Sequence, residues 1–559
     1  MTALLTDNLP LLAGAPNGIK KLRELILELA VRGKLVPQDP SDKPASELLN
    51  NIAKEKKLLI ENKTIRKGKP LPGIEQDEMQ FKLPIGWEWV RLGQIGDWGA
   101  GATPARGKSS YYGGEMPWFK SGELIADFIS DSEESVTELA LKECSLRRNK
   151  PGDVLIAMYG ATIGKTAILS VEGTTNQAVC ACTPFNGVFN RYLLLTLKAL
   201  KSNFIGQGAG GAQPNISREK IVVTVTGLPP LAEQHRIVVK VDELMALCDR
   251  LEAQQADAES AHAQLVQALL GSLTQAADAD DFAASWQHLA DHFHTLFTTE
   301  PSIDALKQTL LQLAVMGKLV PQDPSDEPAS ELLKRITEEK TRLVAEGKIK
   351  KQKPLPEIRE EEKPFELPKG WFWTRLGAIG VSATGKTPST NNPAFFGGDL
   401  PFIGPGQISV EGQIGESEKW LTDLAREETS VADVGDILMV CIGGSIGKCA
   451  IADREMAFNQ QINSVRVVLA DNRYAFCTMT TPAFMTSVWA SATGTATPII
   501  NRSKWDELLI PIPPLAEQYC IVAKVDQLMA LCDQLKTRLT QAHQLNEQLA
   551  RTLVEQAVA

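Results

Sequence analysis

A few stretches carry residue types whose spacing suits chemistry. Gly160 to Thr166 reads GATIGKT, close to the glycine-rich loop that cradles nucleotide phosphates. That loop needs four residues between its glycines, and this one has three. The related GGSIGKC from Gly443 to Cys449 has the same short spacing and lacks the hydroxyl that would hold magnesium. Both follow apolar runs, VLIAM and ILMVC, which read as strands. Each is therefore a tight turn presenting a lysine, Lys165 or Lys448. A phosphate contact and a purely structural turn are equal readings of those lysines.

An adenine methyltransferase needs Asn or Asp followed by two prolines and an aromatic. NPAF at Asn392 to Phe395 is the nearest approach, and it lacks the second proline. Its first-half counterpart is Lys108, so the chain carries no paired catalytic site and no glycine-rich cofactor motif beside it. His288, His292 and His294 would share a helix face in part, since residues four apart lie on one side. No cysteine or carboxylate set completes a metal site there, so a packed or solvated helix is the favoured reading. The nine cysteines include no C-x-x-C pair, which points to reduced, mostly buried thiols. No catalytic residue, metal or cofactor is expected.

The chain has 559 residues, 43% hydrophobic, with a formal charge of -10. That length supplies several domains. No apolar run is long enough for a membrane span, and the start lacks a basic secretory signal, so a cytoplasmic protein is expected. The acidic balance argues against a protein that coats nucleic acid unaided, because such binding is mostly phosphate neutralisation by Lys and Arg. Local basic strips survive that objection: KTIRKGKPLP from Lys63 and KIKKQKPLP from Lys348. They read equally as solvated linkers or as phosphate contacts.

The elements that must position these residues occur twice. PPLAEQHRIVVKVDELMALCDRL from Pro229 to Leu251 matches PPLAEQYCIVAKVDQLMALCDQL from Pro513 to Leu535 at 18 of 23 positions, which marks an internal duplication. Ile521, Val525, Leu528, Cys532, Leu535, Leu539, Ala542, Asn546, Leu549 and Leu553 step by four and three, a coiled-coil seam. The first copy runs through Ile237, Val241, Leu244, Cys248 and Leu251, weakens at Gln255, Ala258 and His262, and recovers at Leu265 and Leu269. Each long helix is the obvious partner for the other. Earlier in each half, 19 of 21 positions are shared between Leu29–Leu49 and Leu313–Leu333, at an offset of 284. An amphipathic helix around Ile19 to Val31 precedes the first of these segments, and ASELL opens another helix after a PQDPSD turn.

Between those helices lie two globular blocks of mixed strand and helix, opening with FKLPIGWEWVRLGQIG and FELPKGWFWTRLGAIG. Landmarks recur through both: Thr103-Pro104 with Thr387-Pro388, YYGGEMPWF with FFGGDLPFI, the two GKT/GKC turns, and Asn176-Gln177 with Asn459-Gln460. Elsewhere the blocks part company, as in Ser121–Lys150 against Pro405–Asp433. A duplicated scaffold holding two readers of different things would have this pattern.

On the doubled long helix, the doubled GW-led block and the diverged loops, the chain resembles the specificity subunits of Type I restriction-modification systems over nearly its whole length. GKLVPQDP and PPLAEQ with VD.LMALCD resemble the Type IB subfamily in particular. The resemblance implies a mixed α/β protein in which two target-recognition domains are joined by two long helices forming an antiparallel coiled coil, with a pseudo-twofold internal repeat. The implied divisions are 1–80 (helices and linker), 81–228 (first recognition domain), 229–364 (central spacer), 365–510 (second recognition domain) and 511–559 (last helix). It implies a non-catalytic reader of a split, asymmetric site in double-stranded DNA. Two modification subunits would bring S-adenosylmethionine for adenine methylation, and two restriction subunits would bring ATP-driven cleavage. A helix of about 40 residues spans roughly 60 Å, which suits half-sites about one DNA turn apart. The competing readings are a self-sufficient methyltransferase or nuclease, and a coiled-coil scaffold that binds carbohydrate or protein.

For such a reader, Asn and Gln suit adenine while Arg and Lys suit guanine. The expected contacts are Thr103, Arg106 and Lys108 in the first block, and Lys386, Thr387 and Asn391 in the second. Lys165 and Lys448 join them as phosphate contacts. Asn176, Gln177, Asn459 and Gln460 also qualify, although such amides are as often satisfied core hydrogen bonds. Arg218 and Arg502, at the exit of each block, either clamp phosphate or close the block onto its helix.

Overall fold

The computed structural model describes residues 9–208, 215–494 and 497–558. The chain forms two compact units, one of Met1–Ala258 with Ala542–Ala559 and the other of Glu259–Gln541. Each pairs a helical bundle with one mixed α/β block. Six helices organise the bundles: α1 (Gly18–Val31), α2 (Ala45–Glu61), α3 (Leu231–Gln275), α4 (Glu300–Val315), α5 (Ala329–Ala345) and α6 (Leu515–Val558). No helix among the described residues is long and apolar enough to cross a membrane.

The two long helices pack together in both units, each lending its end to the bundle that the other begins. In the first unit, Ile237, Val241 and Cys248 of α3 share a core with Leu22, Leu25, Ile26 and Leu29 of α1 and with Ala550 of α6. In the second, Cys532 with the half-buried Leu528 and Leu535 of α6 meets Ile303, Leu306 and Leu310 of α4 and Val266, Leu270 and Leu273 of α3. The short helices therefore fill much of each seam. Charge follows packing: Arg23 of α1 pairs with Asp249 at 2.6 Å and Glu252 at 2.7 Å, and Lys21 reaches Glu547 at 2.8 Å. On α6, Lys536 pairs with Asp304 at 2.5 Å.

The expected seam is interrupted toward the far end of each helix, although Leu269, Leu539 and Leu553 still pack half-buried against the two cores. Ala542, Asn546 and Leu549 are exposed, and so is Leu265. The buried line runs instead through Val266, Leu270 and Leu273 on α3 and through Ala550 on α6. A straight helix drifts about 20° per heptad away from a strict 3.5-residue repeat. After three heptads the buried face has moved to neighbouring positions.

The α/β blocks repeat one plan. In the first block the strands are β1 (Gly96–Ala100), β2 (Val154–Ala157), β3 (Thr166–Leu169) and β4 (Val179–Pro184), ordered β1-β4-β2-β3 with Phe128–Ile129 at the edge. In the second block β5 (Gly380–Thr384), β6 (Ile437–Val440), β7 (Cys449–Ile451) and β8 (Ile462–Val467) are ordered β5-β8-β6-β7. Strand residues alternate between two cores. Val154 and Ile156 face Leu193, Leu194 and Leu197, while Leu155 and Ala157 face Phe119 and Leu124. A ribbon of Glu88–Arg91 against Val225–Leu228, repeated as Phe372–Arg375 against Leu509–Ile512, joins the start of each block to its end.

The segments that the two halves share most closely touch one another. Gln38 Nε2 donates to Gly33 O at 2.8 Å and to Glu233 Oε1 at 3.2 Å; Gln322 Nε2 donates to Gly317 O at 2.6 Å and Glu517 Oε1 at 3.1 Å. Trp371 Nε1 donates to Glu517 Oε2 at 2.8 Å. Gln234 and Gln518 are wholly buried. Gln234 accepts from Phe189 N and donates to Pro229 O and Gly187 O; Gln518 accepts from Asp471 N and donates to Pro513 O. PQD, GW and LAEQ are thus the three sides of one joint between turn, block and long helix. Burial there pushes the Glu233 and Glu517 carboxyls up.

A second repeated device is a buried arginine. Arg91 donates from Nε to Pro72 O at 2.8 Å, forks onto Glu78 at 3.0 and 2.7 Å, and reaches the carbonyls of Gly73 and Val223. Arg375 does the same to Pro356 O at 2.7 Å, Glu357 O at 2.9 Å, Glu507 O at 2.6 Å and Glu362 at 3.2 and 3.1 Å. Each basic strip therefore ends in a clasp.

Two outcomes follow from this packing. Leu29→Ala, at a site 1% exposed, is expected to cost about 2–5 kcal/mol, whereas Leu265→Ala, at a site 52% exposed, is expected to cost under about 0.5 kcal/mol; urea unfolding checks both. The clasp carboxylates respond to acid. Arg91 and then the Glu75 amide hold Glu78 below the usual range, and the Arg359 amide and then Arg375 hold Glu362 down. Depressed folded values mean that the clasps contribute fully above about pH 4.3 and weaken as pH falls through the lower folded values. Hydrogen-exchange protection of residues 72–78 and 356–362 should drop over that acidic window and be unchanged between pH 6 and 8.

Candidate functional site

The strand register brings the shared polar residues, and the loops that carry them, to one end of each sheet. In the first block Ala100 faces Cys180, Ala157 faces Val179, and Ile156 faces Thr166. Loops 101–108, 158–165 and 176–178 therefore leave the sheet side by side. In the second, Thr384 faces Asn463, Val440 faces Ile462, and Met439 faces Cys449. Loops 385–391, 441–448 and 459–461 leave it in the same way.

Glycine sets how closely these loops approach. A Cβ at Gly101 would collide with the carbonyl oxygens of Thr175 and Asn176, and one at Gly385 with those of Asn459 and Phe458. The backbones are tied at the same place: Gly101 N to Val179 O at 2.9 Å and Ala102 N to Thr175 O at 3.0 Å, with Gly385 N to Ile462 O at 3.0 Å and Lys386 N to Phe458 O at 3.1 Å. That approach carries each threonine to a glutamine. Thr103 Oγ1 donates to Gln177 Oε1, and Thr387 Oγ1 donates to Gln460 Oε1 at 2.6 Å. The neighbouring asparagines build the turn: Asn176 Oδ1 accepts from Ala178 N at 3.1 Å, and Asn459 Oδ1 from Gln461 N at 3.0 Å.

Several expected cations are already engaged. The Arg106 guanidinium lies 4.9 Å from the Tyr112 ring centroid and 5.0 Å from that of Trp118, and it pairs with Glu134. Lys120 bonds the same carboxylate at 3.1 Å, so Arg106 first and Lys120 second hold Glu134 below the usual range. Lys108 pairs with Glu143 at 2.7 Å and meets the Tyr111 hydroxyl at 2.8 Å; Lys386 pairs with Glu428 at 2.8 Å. Lys165 and Lys448 have no ion pair among the described residues. Arg218 bonds Trp98 O at 3.4 Å and Glu219 at 3.2 Å, while Asn391 and Arg502 are exposed.

The GKT turn lies between paired antiparallel strands β2 and β3, and the GKC turn between β6 and β7. A phosphate loop leads from strand into helix, so the fold itself removes that reading. Gly160, Gly164, Gly443 and Gly447 all have positive φ, which the hairpins require. Asn392 is likewise a turn former, its Oδ1 accepting from Ala394 N at 3.2 Å. The His288 and His292 rings lie 5.1 Å apart, and no metal-binding group of three or more His, Cys, Asp or Glu occurs among the described residues.

Sequence reasoning passed over Tyr159, 41% exposed beside Gly160 on the first hairpin, although an aromatic next to a glycine-rich turn was visible. It also passed over Glu134, Glu143 and Glu428. These lie in the diverged stretches or next to them, where comparing the halves gives no signal.

A family model described as the Type I restriction modification DNA specificity domain matches residues 84–259 and 368–544. The EcoAI specificity subunit of Escherichia coli is 38% identical over 569 residues, covering 97% of this chain and 94% of that protein. The EcoEI specificity subunit of Escherichia coli is 37% identical over 570 residues, with the same coverage. A solved chain, described as "Structural basis underlying complex assembly and conformational transition of the type I R-M system", superimposes with a TM-score of 0.50 at 18% identity over 86% of this chain and 99% of its own; that likeness bears on the fold. With two matched domains and relatives of this identity along its length, the chain belongs to the Type I restriction-modification specificity family, as a non-catalytic subunit that directs DNA target recognition.

Proposed function

We propose that this chain binds double-stranded DNA through the loop ends of its two blocks, each reading one half of a split, asymmetric site. It lends that specificity to two modification subunits for adenine methylation and to two restriction subunits for ATP-dependent cleavage. The GKLVPQDP and PPLAEQ segments support membership of the Type IB subfamily, and work on DNA supports a cytoplasmic location.

The observation that carries this reading is the sheet end itself. Both blocks send the same three loops from the same register positions, on a frame held by the same buried joint, while those loops differ at places such as Arg106 against Thr390 and Tyr159 against Ile442 and the stretches Ser121–Lys150 and Pro405–Asp433 have diverged. One frame with unlike tips suits two readers of unlike sequences. Of the expected contacts, Lys165, Lys448, Asn391 and Arg502 form no ion pair or side-chain hydrogen bond among the described residues and can meet DNA directly, with Gln177 and Gln460 at the loop crest. Arg106, Lys108, Lys386 and Arg218 would have to exchange their present partners for phosphate or base. The acidic total charge of -10 leaves much of the non-specific hold on DNA to the partner subunits.

Exchanging residues 81–228 for the corresponding domain of another family member tests modularity. Methylation mapped across host DNA should show a new first half-site and an unchanged second one; a change in both halves would overturn the modular reading. Within one block, Gly101→Ala pushes the loop off Thr175 and Asn176. It is expected to abolish specific binding by the assembled complex, and Gly271→Ala, on the long helix α3 where a Cβ meets open space, should leave binding unchanged.

A further inference from the structure

The loops of the two blocks share a set of landmarks, and at one of them the atoms are arranged alike in both. Gly101, Thr103 and Gln177 in one block, and Gly385, Thr387 and Gln460 in the other, form the same constellation. The glycine permits close approach, the threonine hydroxyl donates to the glutamine Oε1, and the asparagine before the glutamine closes the turn. Pro104 and Pro388, next to the threonines, are buried in both blocks, so the threonine is held from both sides.

This arrangement sorts the glutamine's hydrogen-bonding groups. Its acceptor oxygen is occupied by the threonine, and its Nε2 has no partner among the described residues. The exposed end of each glutamine is therefore a fixed pair of N–H donors at the crest of the loop cluster. Asparagine, glutamine and threonine side chains commonly donate to phosphate oxygens, contacts that fix register without reading sequence.

Resting on the reading that the blocks bind different half-sites, we propose that the Thr103–Gln177 and Thr387–Gln460 pairs are matching anchors to the DNA sugar-phosphate backbone. Gln177 and Gln460 donate to phosphate oxygens, and Thr103 and Thr387 act as positioning residues that hold the amides donor-outward. A contact repeated in both blocks cannot tell unlike half-sites apart. It fits the chemistry that every half-site shares, which is the backbone. Base readout falls to neighbours that differ between the blocks, such as Tyr159 against Ile442.

The test uses the full complex with its partner subunits. The parent complex must first retain DNA of its own site over unrelated DNA; failure there removes the specificity reading and not the anchor. Gln177→Ala should then weaken binding about tenfold on every sequence, consistent with losing a hydrogen bond to a charged group. The base preferences from a randomised half-site library should stay as they were. Gln177→Lys should steepen the dependence of affinity on salt by about one phosphate contact, again for all sequences. Thr103→Val should reproduce part of the Gln177→Ala loss, and Thr103→Ser should restore it. A changed preference at one base pair of the first half-site in Gln177→Ala would make the glutamine a base reader and overturn the proposal. Unchanged affinity in both Gln177→Ala and Gln460→Ala, with unchanged melting temperatures, would reduce the pair to turn structure and overturn it too.

Discussion

The rest of the structure depends on a buried polar joint at the root of each long helix. Glu233 with Gln234, and Glu517 with Gln518, are withdrawn from water, and a buried polar group without a partner costs about 1–3 kcal/mol. Their partners come from two other places in the chain: the PQD turn, through Gln38 or Gln322, and the α/β block, through Phe189 N in the first half and through Asp471 N and Trp371 in the second. A helix start, a turn and an α/β block are thereby fixed together by groups that cannot be satisfied separately. That mutual requirement accounts for the near identity of these three segments after duplication, since a change on one side strands a donor or acceptor on another.

From this root the structure becomes progressively freer. The sheet strands are still constrained, because alternate residues pack into two different cores and register follows from that. The loops at the sheet end are held where glycine and carbonyl come within contact, at Gly101 and Gly385, and where Thr103 and Thr387 bond Gln177 and Gln460. Beyond those points the chain can diverge without disturbing the frame, and Ser121–Lys150 and Pro405–Asp433 have done so. Affinity for different sequences can therefore change at the tips while the root stays still.

How much of this could be read from the chain follows the same gradient. The duplication, the helices and the landmark turns were legible because their residues repeat at a fixed offset or a helical period. The three-residue spacing in GATIGKT already argued against a phosphate loop, and the β2–β3 hairpin gives the reason in backbone terms. The long-helix seam was legible at Ile237, Val241 and Cys248 and misread at Leu265 and Asn546, since a heptad count takes no account of drift along a straight helix. The ion pairs of Arg106, Lys108 and Lys386 were not legible at all. Their carboxylates lie 28, 35 and 42 residues away, and neither periodicity nor repetition relates such positions.

Residues 542–558 of the last helix belong to the same compact unit as the first 258 residues, with Ala550 in the core that Leu22, Leu25 and Leu29 line. During synthesis, at some 5–20 residues per second, the earlier bundle must wait with that face uncovered until residues 542–558 have left the ribosome. The duplicated order thus delays completion of the earlier bundle, and emergence of a helix made some 300 residues later in synthesis (roughly 15–60 s at that rate) becomes the event that seals it.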